Sequence, residues 1–253
     1  MTDSTIPLVR LRRDIEKLAV PLDGVAPGVF SLGELGIDAR LGGGLALSGM
    51  HETVNEGEGD FPAACAFALM LALRAAGATK PILIVSTDRR DRQEGALYGP
   101  GLLELGINPT RMVSVHAPDE VAALRAAADG VAVSGVGAVI IDAGEAKKLD
   151  LTASRRLLLA AERSGVTAIV LRSGQSRFAS AASTRWAVAA APSLPLATNA
   201  PGHTCLRLSL LRHRGGVAPF EILLEWNRDQ RSFTTASLLR DLPADAQRGQ
   251  MAA

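Results

Sequence analysis

The chain has 253 residues, the length of one large domain with or without short terminal extensions. Its 27 Lys and Arg residues against 26 Asp and Glu residues give a net charge of +1, which excludes an overall basic coat and leaves only local patches for nucleic acid. Cys65 and Cys205 offer no zinc spacing, and neither a signal-peptide run nor an apolar run of roughly 20 residues is present, so we expect a cytoplasmic protein without a membrane span.

The first two thirds of the chain alternate between helical and strand patterns. Apolar residues at helical spacing predict a short amphipathic helix over 8–18, and two prolines mark the connector that follows. An almost wholly apolar run over 63–76 predicts a buried helix, which Asp60 can cap, Pro62 can begin and Gly77 can end. The predicted strands in this part are 51–54, 82–85, 112–116, 138–142 and 168–171. The remaining predicted helices are 97–105, 120–129 and 152–163. This alternation favours right-handed crossovers and a mostly parallel sheet.

The pattern changes after Arg172. Residues 173–184 are rich in Ser, Ala and Gly and predict a long loop. Strand patterns then follow without long helices between them, at 186–190, 205–211, 220–226 and 231–236, so we expect antiparallel strands that extend the sheet. From Arg240 onward the polar tail is typical of disorder. The predicted division is therefore 1–28 as helix and connector, 29–238 as one α/β domain, and 239–253 as tail.

The turn between the first strand and the buried helix is where a phosphate-binding loop would lie. Such a loop reads G-x-x-x-x-G-K-[ST], with backbone N–H groups around the phosphates, Lys on the β/γ-phosphates and a hydroxyl on Mg²⁺. The window here is 55–62, and it lacks both template glycines, the lysine and the hydroxyl, with Phe61 and Pro62 in the last two positions. No lysine occurs between Lys17 and Lys80, so no shift of register restores the motif. ATP hydrolysis is therefore not expected.

The glycines and carboxylates of this turn allow two interpretations. Gly57 and Gly59 can simply form a turn, and the acidic residues at 52, 56, 58 and 60 would repel a triphosphate. The alternative is a residual nucleotide site that uses the backbone amides at the N-terminus of the helix. Neither interpretation predicts a bound cofactor, although the second allows residual ATP binding.

The order of elements resembles the RecA ATPase core. The residues that carry this likeness are Gly42-Gly43-Gly44-Leu45, the buried strand that ends in Asp142, and the 207–226 hairpin region with Ala218-Pro219-Phe220. Within that superfamily the chain resembles the ImuA family, through the stretch 149–157, through Thr184-Arg185-Trp186 followed by Ala191-Pro192-Ser193, and through 211–216 leading into Glu225-Trp226. The similarity covers about 8–228.

This resemblance implies a RecA-like α/β core, with a mostly parallel sheet flanked by helices and extended by antiparallel strands near the C-terminus. It implies work with an ImuB-like, polymerase-like partner that lacks polymerase activity, and indirectly with an error-prone replicative-type DNA polymerase, during damage-induced translesion synthesis. RecA is a further candidate partner, and association with the nucleoid after DNA damage is expected. Asp142 corresponds to a Mg²⁺-associated carboxylate of RecA-type ATPases, although a strand-end Asp can also cap the next turn.

The loop after the last buried strand corresponds by position to a DNA-contacting loop of RecA. Arg172, Arg177, Arg185 and Trp186 bracket it, and basic and aromatic side chains suit a single-stranded contact. The alternative is a solvated loop with Trp186 buried in the sheet.

Three functions follow from these patterns. The first is a non-catalytic adaptor of translesion synthesis; the others are an ATP-dependent motor with an unorthodox nucleotide site and a division inhibitor of SulA type. The terminal segments 8–18 and 228–253 are candidate partner-binding regions. The alternative for 8–18 is a helix that packs on its own domain, and the alternative for 228–253 is a tail without a role. The four histidines have no ligand spacing, and no G-x-S-x-G signature indicates a hydrolase.

Overall fold

The computed structural model describes residues 28–236, except for residue 96, residues 146–147 and residues 174–178. The predicted helix over 8–18 and the predicted tail from Arg240 lie outside the described residues.

Within this part of the chain, nine strands form one mixed sheet, and two short strands form a separate antiparallel pair. The short pair is Val29–Phe30 (β1) and Leu45–Ala46 (β2). The strands of the main sheet are Met50–Asn55 (β3), Ile82–Thr87 (β4), Met112–Ala117 (β5), Ala138–Gly144 (β6), Thr167–Arg172 (β7), Thr184–Ala191 (β8), Thr204–His213 (β9), Phe220–Asn227 (β10) and Ser232–Thr235 (β11). Their order is β11-β10-β9-β8-β3-β7-β6-β4-β5, parallel from β8 to β5 and antiparallel from β8 to β11. The predicted extension of a parallel sheet by antiparallel strands is therefore confirmed.

Helices cover both faces of the sheet. They are Leu35–Arg40 (α1), Phe61–Ala76 (α2), Asp88–Glu94 (α3), Gly99–Glu104 (α4), Glu120–Ala132 (α5) and Leu151–Ser164 (α6). The first face carries α2 across its centre, together with Leu102 of α4, in a core that continues to the aromatic side chains of β8, β10 and β11. The second face carries α5 and α6 against the parallel strands in a separate core. Both faces of the central strands are covered, which explains their continuous apolar runs.

The helix α2 is the buried core helix that the sequence predicts. Pro62 lies in its first turn, and Gly77 follows its last residue with φ +62°, a backbone conformation that favours glycine. Asp60 holds the N-cap position but makes no side-chain capping bond, so its predicted capping role is wrong. By length and composition the helical stretch from Glu58 to Ala76 could cross a membrane, yet 56% of its apolar window is buried inside this fold, as in a core helix.

The structure also contains elements that the sequence patterns did not predict. These are β1, β2 and α1, which frame the glycine-rich loop, and the charged helix α3. A Cβ at Gly44, whose φ is +132°, would lie 2.2 Å from the carbonyl oxygen of Phe30, so this loop needs glycine where the chain passes close to β1. The strands β1 and β2 have two residues each and α1 has six, which is too short for a periodic pattern, and α3 has no apolar stripe. The sequence patterns therefore missed all four elements.

Candidate functional site

The turn between β3 and α2 is closed by its own side chains. Gly57 donates its N–H to Asp60 Oδ2 (3.0 Å), and the other oxygen of Asp60 accepts the N–H of Ala190 on β8 (3.0 Å). The side-chain amide of Asn55 donates to the carbonyl of Gly57 (2.6 Å). The amide at Gly57 is therefore already bound to a carboxylate of the chain and is not available to a phosphate.

Neither glycine of the turn has the backbone that a phosphate-cradling glycine needs. Gly57 is extended, with φ −115° and ψ 170°, and Gly59 is not among the positive-φ glycines. A Cβ at Gly59 would meet nothing within 4 Å. The geometry thus agrees with a plain turn that leads into a short 3₁₀ segment, Glu58–Asp60.

The guanidinium of Arg90 lies beside Phe61, the residue at the position of the missing P-loop lysine. The guanidinium carbon of Arg90, on α3, lies 4.8 Å from the centre of the Phe61 ring. Its Nε donates to Asp142 Oδ1 at 3.1 Å, and only 14% and 12% of the two side chains are exposed. A Cβ on Gly144, which has φ +50°, would lie 2.9 Å from Arg90 Nε, so the glycine leaves room for the guanidinium. Asp142 therefore binds an arginine. The interpretation of Asp142 as a cap of the next turn stays a prediction.

Arg90 is a site residue that the sequence analysis missed. Its helix, α3, reads Asp-Arg-Arg-Asp-Arg-Gln-Glu and has no apolar stripe. The sequence signal that could have indicated α3 is its N-cap residue, Thr87. The hydroxyl of Thr87 accepts the backbone N–H of Arg90 at 3.3 Å, as N-cap threonines commonly do.

A cavity of about 860 Å³ adjoins this ion pair at the carboxyl ends of β4 and β6. The chain leaves β4 toward the first face and β6 toward the second, the arrangement at which open α/β sheets form ligand crevices. The charged residues that line the cavity are Arg89, Arg90, Lys148, Asp119, Glu120, Asp142 and Glu145. Acidic and basic groups are nearly balanced in this lining, which does not give the excess of positive charge that a triphosphate requires.

On the second face, Glu52 forms the centre of a buried polar cluster. Its carboxylate, fully buried in β3, accepts from Arg172 Nε at 3.2 Å, from the Arg185 guanidinium at 2.7 Å and from Ser180 Oγ at 2.8 Å. Arg172 also donates to the carbonyl of Leu149, just before α6, at 2.7 Å. We call Glu52, Arg172, Arg185 and Ser180 the Glu52 cluster. Because Glu52 points away from the turn after β3, its predicted role in repelling a triphosphate there is wrong.

The end of the loop between β7 and β8 is held by the Glu52 cluster, through Ser180, and by contacts from two neighbouring elements. Arg212 on β9 donates to the carbonyls of Ser180 (3.0 Å) and Ala182 (2.9 Å), and Ala181 donates its N–H to Ser154 of α6 (3.0 Å). Burial, with repulsion from Arg185, lowers the pKa of Arg212 from its ordinary value. The residues at the base of this loop are therefore held by charged contacts in the interior.

Two of the four side chains assigned to a DNA contact are buried. Arg172 has no exposed surface and is bound to Glu52, and Trp186 is fully buried, with its ring edge-on to Phe67 and Phe220 at 5.9 Å. These positions do not offer the nucleic-acid surface that the sequence analysis gave them. Arg185 is 15% exposed and also bound to Glu52, while Arg177 lies outside the described residues.

An exposed arginine does lie beside the same loop. Arg214, after β9, donates to the carbonyl of Ala181 at 3.3 Å and is open to solvent. The sequence signal for it is the basic hairpin tip at 212–214, which lies outside the four residues predicted to contact DNA.

A buried histidine joins the small sheet pair to the main sheet. His51 Nε2 faces the carbonyl of Ala46 (2.9 Å), so Nε2 carries the proton, and Nδ1 accepts the hydroxyl of Thr184 (2.8 Å). Thr184 in turn accepts the indole N–H of Trp186 at 3.1 Å. Burial lowers the pKa of His51 from 6.5 to about 4, so the ring is neutral. Among the described residues no three His, Cys, Asp or Glu side chains lie close enough together to hold a metal ion.

Comparisons with known proteins place this geometry in a family. No family model matches the chain. The chain is 37% identical over 201 residues to Protein ImuA of Caulobacter vibrioides, in strains NA1000 / CB15N and ATCC 19089 / CIP 103742 / CB 15, which covers 74% of this chain and 80% of each relative. Among solved structures, the RadB recombinase is similar with a TM-score of 0.54 and 17% identity over 83% of this chain and 100% of that one, which confirms the predicted RecA-like fold. The identity to the two Caulobacter proteins over most of both chains shows that this chain belongs to the ImuA family.

Proposed function

We propose that the chain is a non-catalytic accessory protein of translesion DNA synthesis, which works by binding an ImuB-like inactive polymerase. Through that partner it would serve an error-prone replicative-type polymerase. Family membership and the RecA-like fold support the accessory role. The binding role without catalysis goes further and rests on the nucleotide-site geometry.

The observation that carries this proposal is the contact of Arg90 with Asp142 and Phe61. In a working site, Mg²⁺ and a lysine would neutralise the phosphates, and an acidic residue would hold the metal through its water shell. Here Arg90 already satisfies Asp142 and covers Phe61. A nucleotide bound at this point would have to displace an internal ion pair without gaining a lysine. A protein whose site is closed in this way is suited to binding partners without ATP.

The test is a pull-down of the purified ImuB-like partner with the purified chain, with and without ATP. We expect equal capture in both conditions and no heat of ATP binding by calorimetry. Capture that requires ATP would overturn the non-catalytic role. Absence of capture in both conditions would remove the adaptor function and leave the SulA-type alternative to be tested by overproduction.

Single-stranded DNA and RecA are further candidate partners, and the structure changes how the DNA contact is tested. Arg185 belongs to the Glu52 cluster, so its replacement would disturb the fold. Arg177→Glu combined with Arg214→Glu alters the loop and the exposed arginine beside it instead. If the loop binds DNA, the anisotropy of a labelled oligonucleotide will show weaker binding by the double variant and unchanged binding by Arg163→Glu, which alters an exposed arginine at the end of α6. Equal binding by all three proteins would place any DNA contact elsewhere.

A further inference from the structure

Three side chains beside the edge strand β5 have the relative positions of a nucleophile, a base and an orienting acid. Ser114 Oγ lies 3.1 Å from His116 Nε2, and His116 Nδ1 is hydrogen-bonded to Asp91 Oδ2. The other oxygen of Asp91 accepts the hydroxyl of Ser86 at 2.7 Å. Serine, histidine and aspartate in this order of contacts recur on unrelated folds and are recognised by geometry rather than by sequence position.

The fold brings these residues together by simple rules. Ser114 and His116 are two residues apart on β5, so their side chains leave the strand on the same face. Ser86 pairs with His116 across the β4–β5 ladder, and α3 begins directly after β4, which brings Asp91 over the same face. The sequence could show the Ser-x-His spacing but not the acid, because Asp91 is 25 residues away from His116.

The contacts of Asp91 fix which ring nitrogen of His116 is the base. A carboxylate can only accept a hydrogen bond, so Nδ1 carries the hydrogen that Asp91 receives. In the neutral ring Nε2 is then an acceptor, and it faces the hydroxyl of Ser114. The serine can therefore pass its proton directly to Nε2 when its oxygen attacks.

Ser114 and His116 are both exposed, so a substrate can reach the oxygen without any movement of the chain. No described strand pairs with the outer side of β5, and an open edge presents unpaired backbone N–H groups that can stabilise an oxyanion. Because Ser114 and His116 are open to solvent, the site suits substrates with good leaving groups rather than amides. We propose that Ser114, His116 and Asp91 form a nucleophilic site for activated carboxylic esters. This activity needs no nucleotide and is separate from the partner binding proposed above, where the absence of catalysis refers to ATP hydrolysis.

The reaction proceeds in two balanced steps. Ser114 Oγ forms a bond to the ester carbonyl carbon while His116 takes the serine proton, and the bond to the leaving oxygen then breaks as His116 returns that proton to it. Water next attacks the acyl-serine and gives a proton to His116. The carboxylic acid leaves as the proton returns to Ser114, so the sum is hydrolysis of one ester.

The experiment uses the purified full chain, a fluorophosphonate probe and p-nitrophenyl acetate. We expect a single fluorophosphonate adduct on Ser114, located by peptide mass spectrometry, and release of p-nitrophenol above the buffer rate. His116→Ala should slow labelling of Ser114 by roughly 10²-fold, the lower end of what general-base catalysis contributes. Asp91→Asn should slow it also, because a side-chain amide does not fix the required tautomer.

The matched control is Ser209→Ala. Ser209 is a strand serine whose hydroxyl donates to the carboxylate of Glu221 at 3.2 Å rather than to a histidine, so its loss should leave both rates unchanged. Thermal unfolding of each variant establishes that it is folded. The proposal is overturned if no adduct forms, if the adduct lies on another residue, or if folded His116→Ala labels as fast as the unaltered chain.

Discussion

Arg90 and Asp142 join α3 to β6 through an ion pair in which the guanidinium Nε lies 3.1 Å from a carboxylate oxygen. The pair lies between the ring of Phe61 and the cavity at the carboxyl ends of β4 and β6. A charge so little exposed is costly without its partner, because desolvation is no longer offset by the ion pair. The contact that occupies Asp142 therefore also contributes to the stability of the fold.

The first prediction concerns the stability that this ion pair supplies. Arg90→Met keeps an apolar stem against Phe61 but leaves Asp142 without its cation, so we expect a loss of about 2 kcal/mol in the free energy of unfolding. Arg89→Met, at the exposed position just before Arg90 in α3, should change the free energy of unfolding by less than about 0.5 kcal/mol. Urea unfolding, followed by the fluorescence of the buried Trp186 and Trp226, measures both. Equal effects of the two variants would show that the Arg90–Asp142 contact is not stabilising.

The second prediction is that restoring the missing lysine does not restore an ATPase. Phe61→Lys would place a second cation close to Arg90, while the template glycines and the metal-binding hydroxyl remain absent. We expect no turnover of ATP above the background of the unaltered chain in a phosphate-release assay. Measurable hydrolysis would mean that the turn over 55–62 can still hold a triphosphate.

The sequence predicted the parts of this fold that depend on local patterns and missed the parts that depend on distant pairs. The buried runs of β4, β6 and β7 and the all-round apolar face of α2 are local signals, and each element was found. Arg90 and Asp142 are 52 residues apart, and Arg172 and Glu52 are 120 residues apart. Such pairs are decided by strand order, so Glu52 could not be separated from the acidic turn that follows it in sequence.

The third prediction concerns the Glu52 cluster. Glu52→Gln keeps the shape of the side chain but removes the carboxylate of the cluster, so that the fully buried Arg172 and the partly exposed Arg185 both lose their ion pair with Glu52. We expect the free energy of unfolding to fall by about 3 kcal/mol, the size typical of a broken buried ion pair. Cleavage by a protease in the loop between β7 and β8 should become faster, because the carboxylate no longer holds Ser180.

The control for this variant lies just beyond the end of the same strand. Glu56 pairs with Arg207 at 3.1 Å, with 41% and 42% of the two side chains exposed. Because water screens this pair, Glu56→Gln should cost no more than about 0.5 kcal/mol. A similar loss of stability in both variants would contradict a special role for the buried cluster.

The fourth prediction is a loss of stability in mild acid that depends on His51. Its pKa is about 4 in the folded chain against 6.5 in the unfolded chain, because burial disfavours the charged ring. As the pH falls below 6.5 the unfolded state binds a proton that the folded state refuses, so stability present above pH 6.5 is progressively lost down to about pH 4. At pH 5 this loss amounts to about 2 kcal/mol relative to pH 7.

His51→Gln removes this titration while it leaves an amide that can still donate to the carbonyl of Ala46. We expect the variant to be less stable than the unaltered chain at pH 7, because its side chain fits the hydrogen bonds to Thr184 and Ala46 less well. The difference in the free energy of unfolding between the two proteins should become smaller by pH 5. Urea unfolding at intervals between pH 7 and 5 measures this difference, with His203→Gln, at a partly exposed histidine outside the core, as the control. A gap that stays constant over this range would mean that protonation of His51 is not coupled to unfolding.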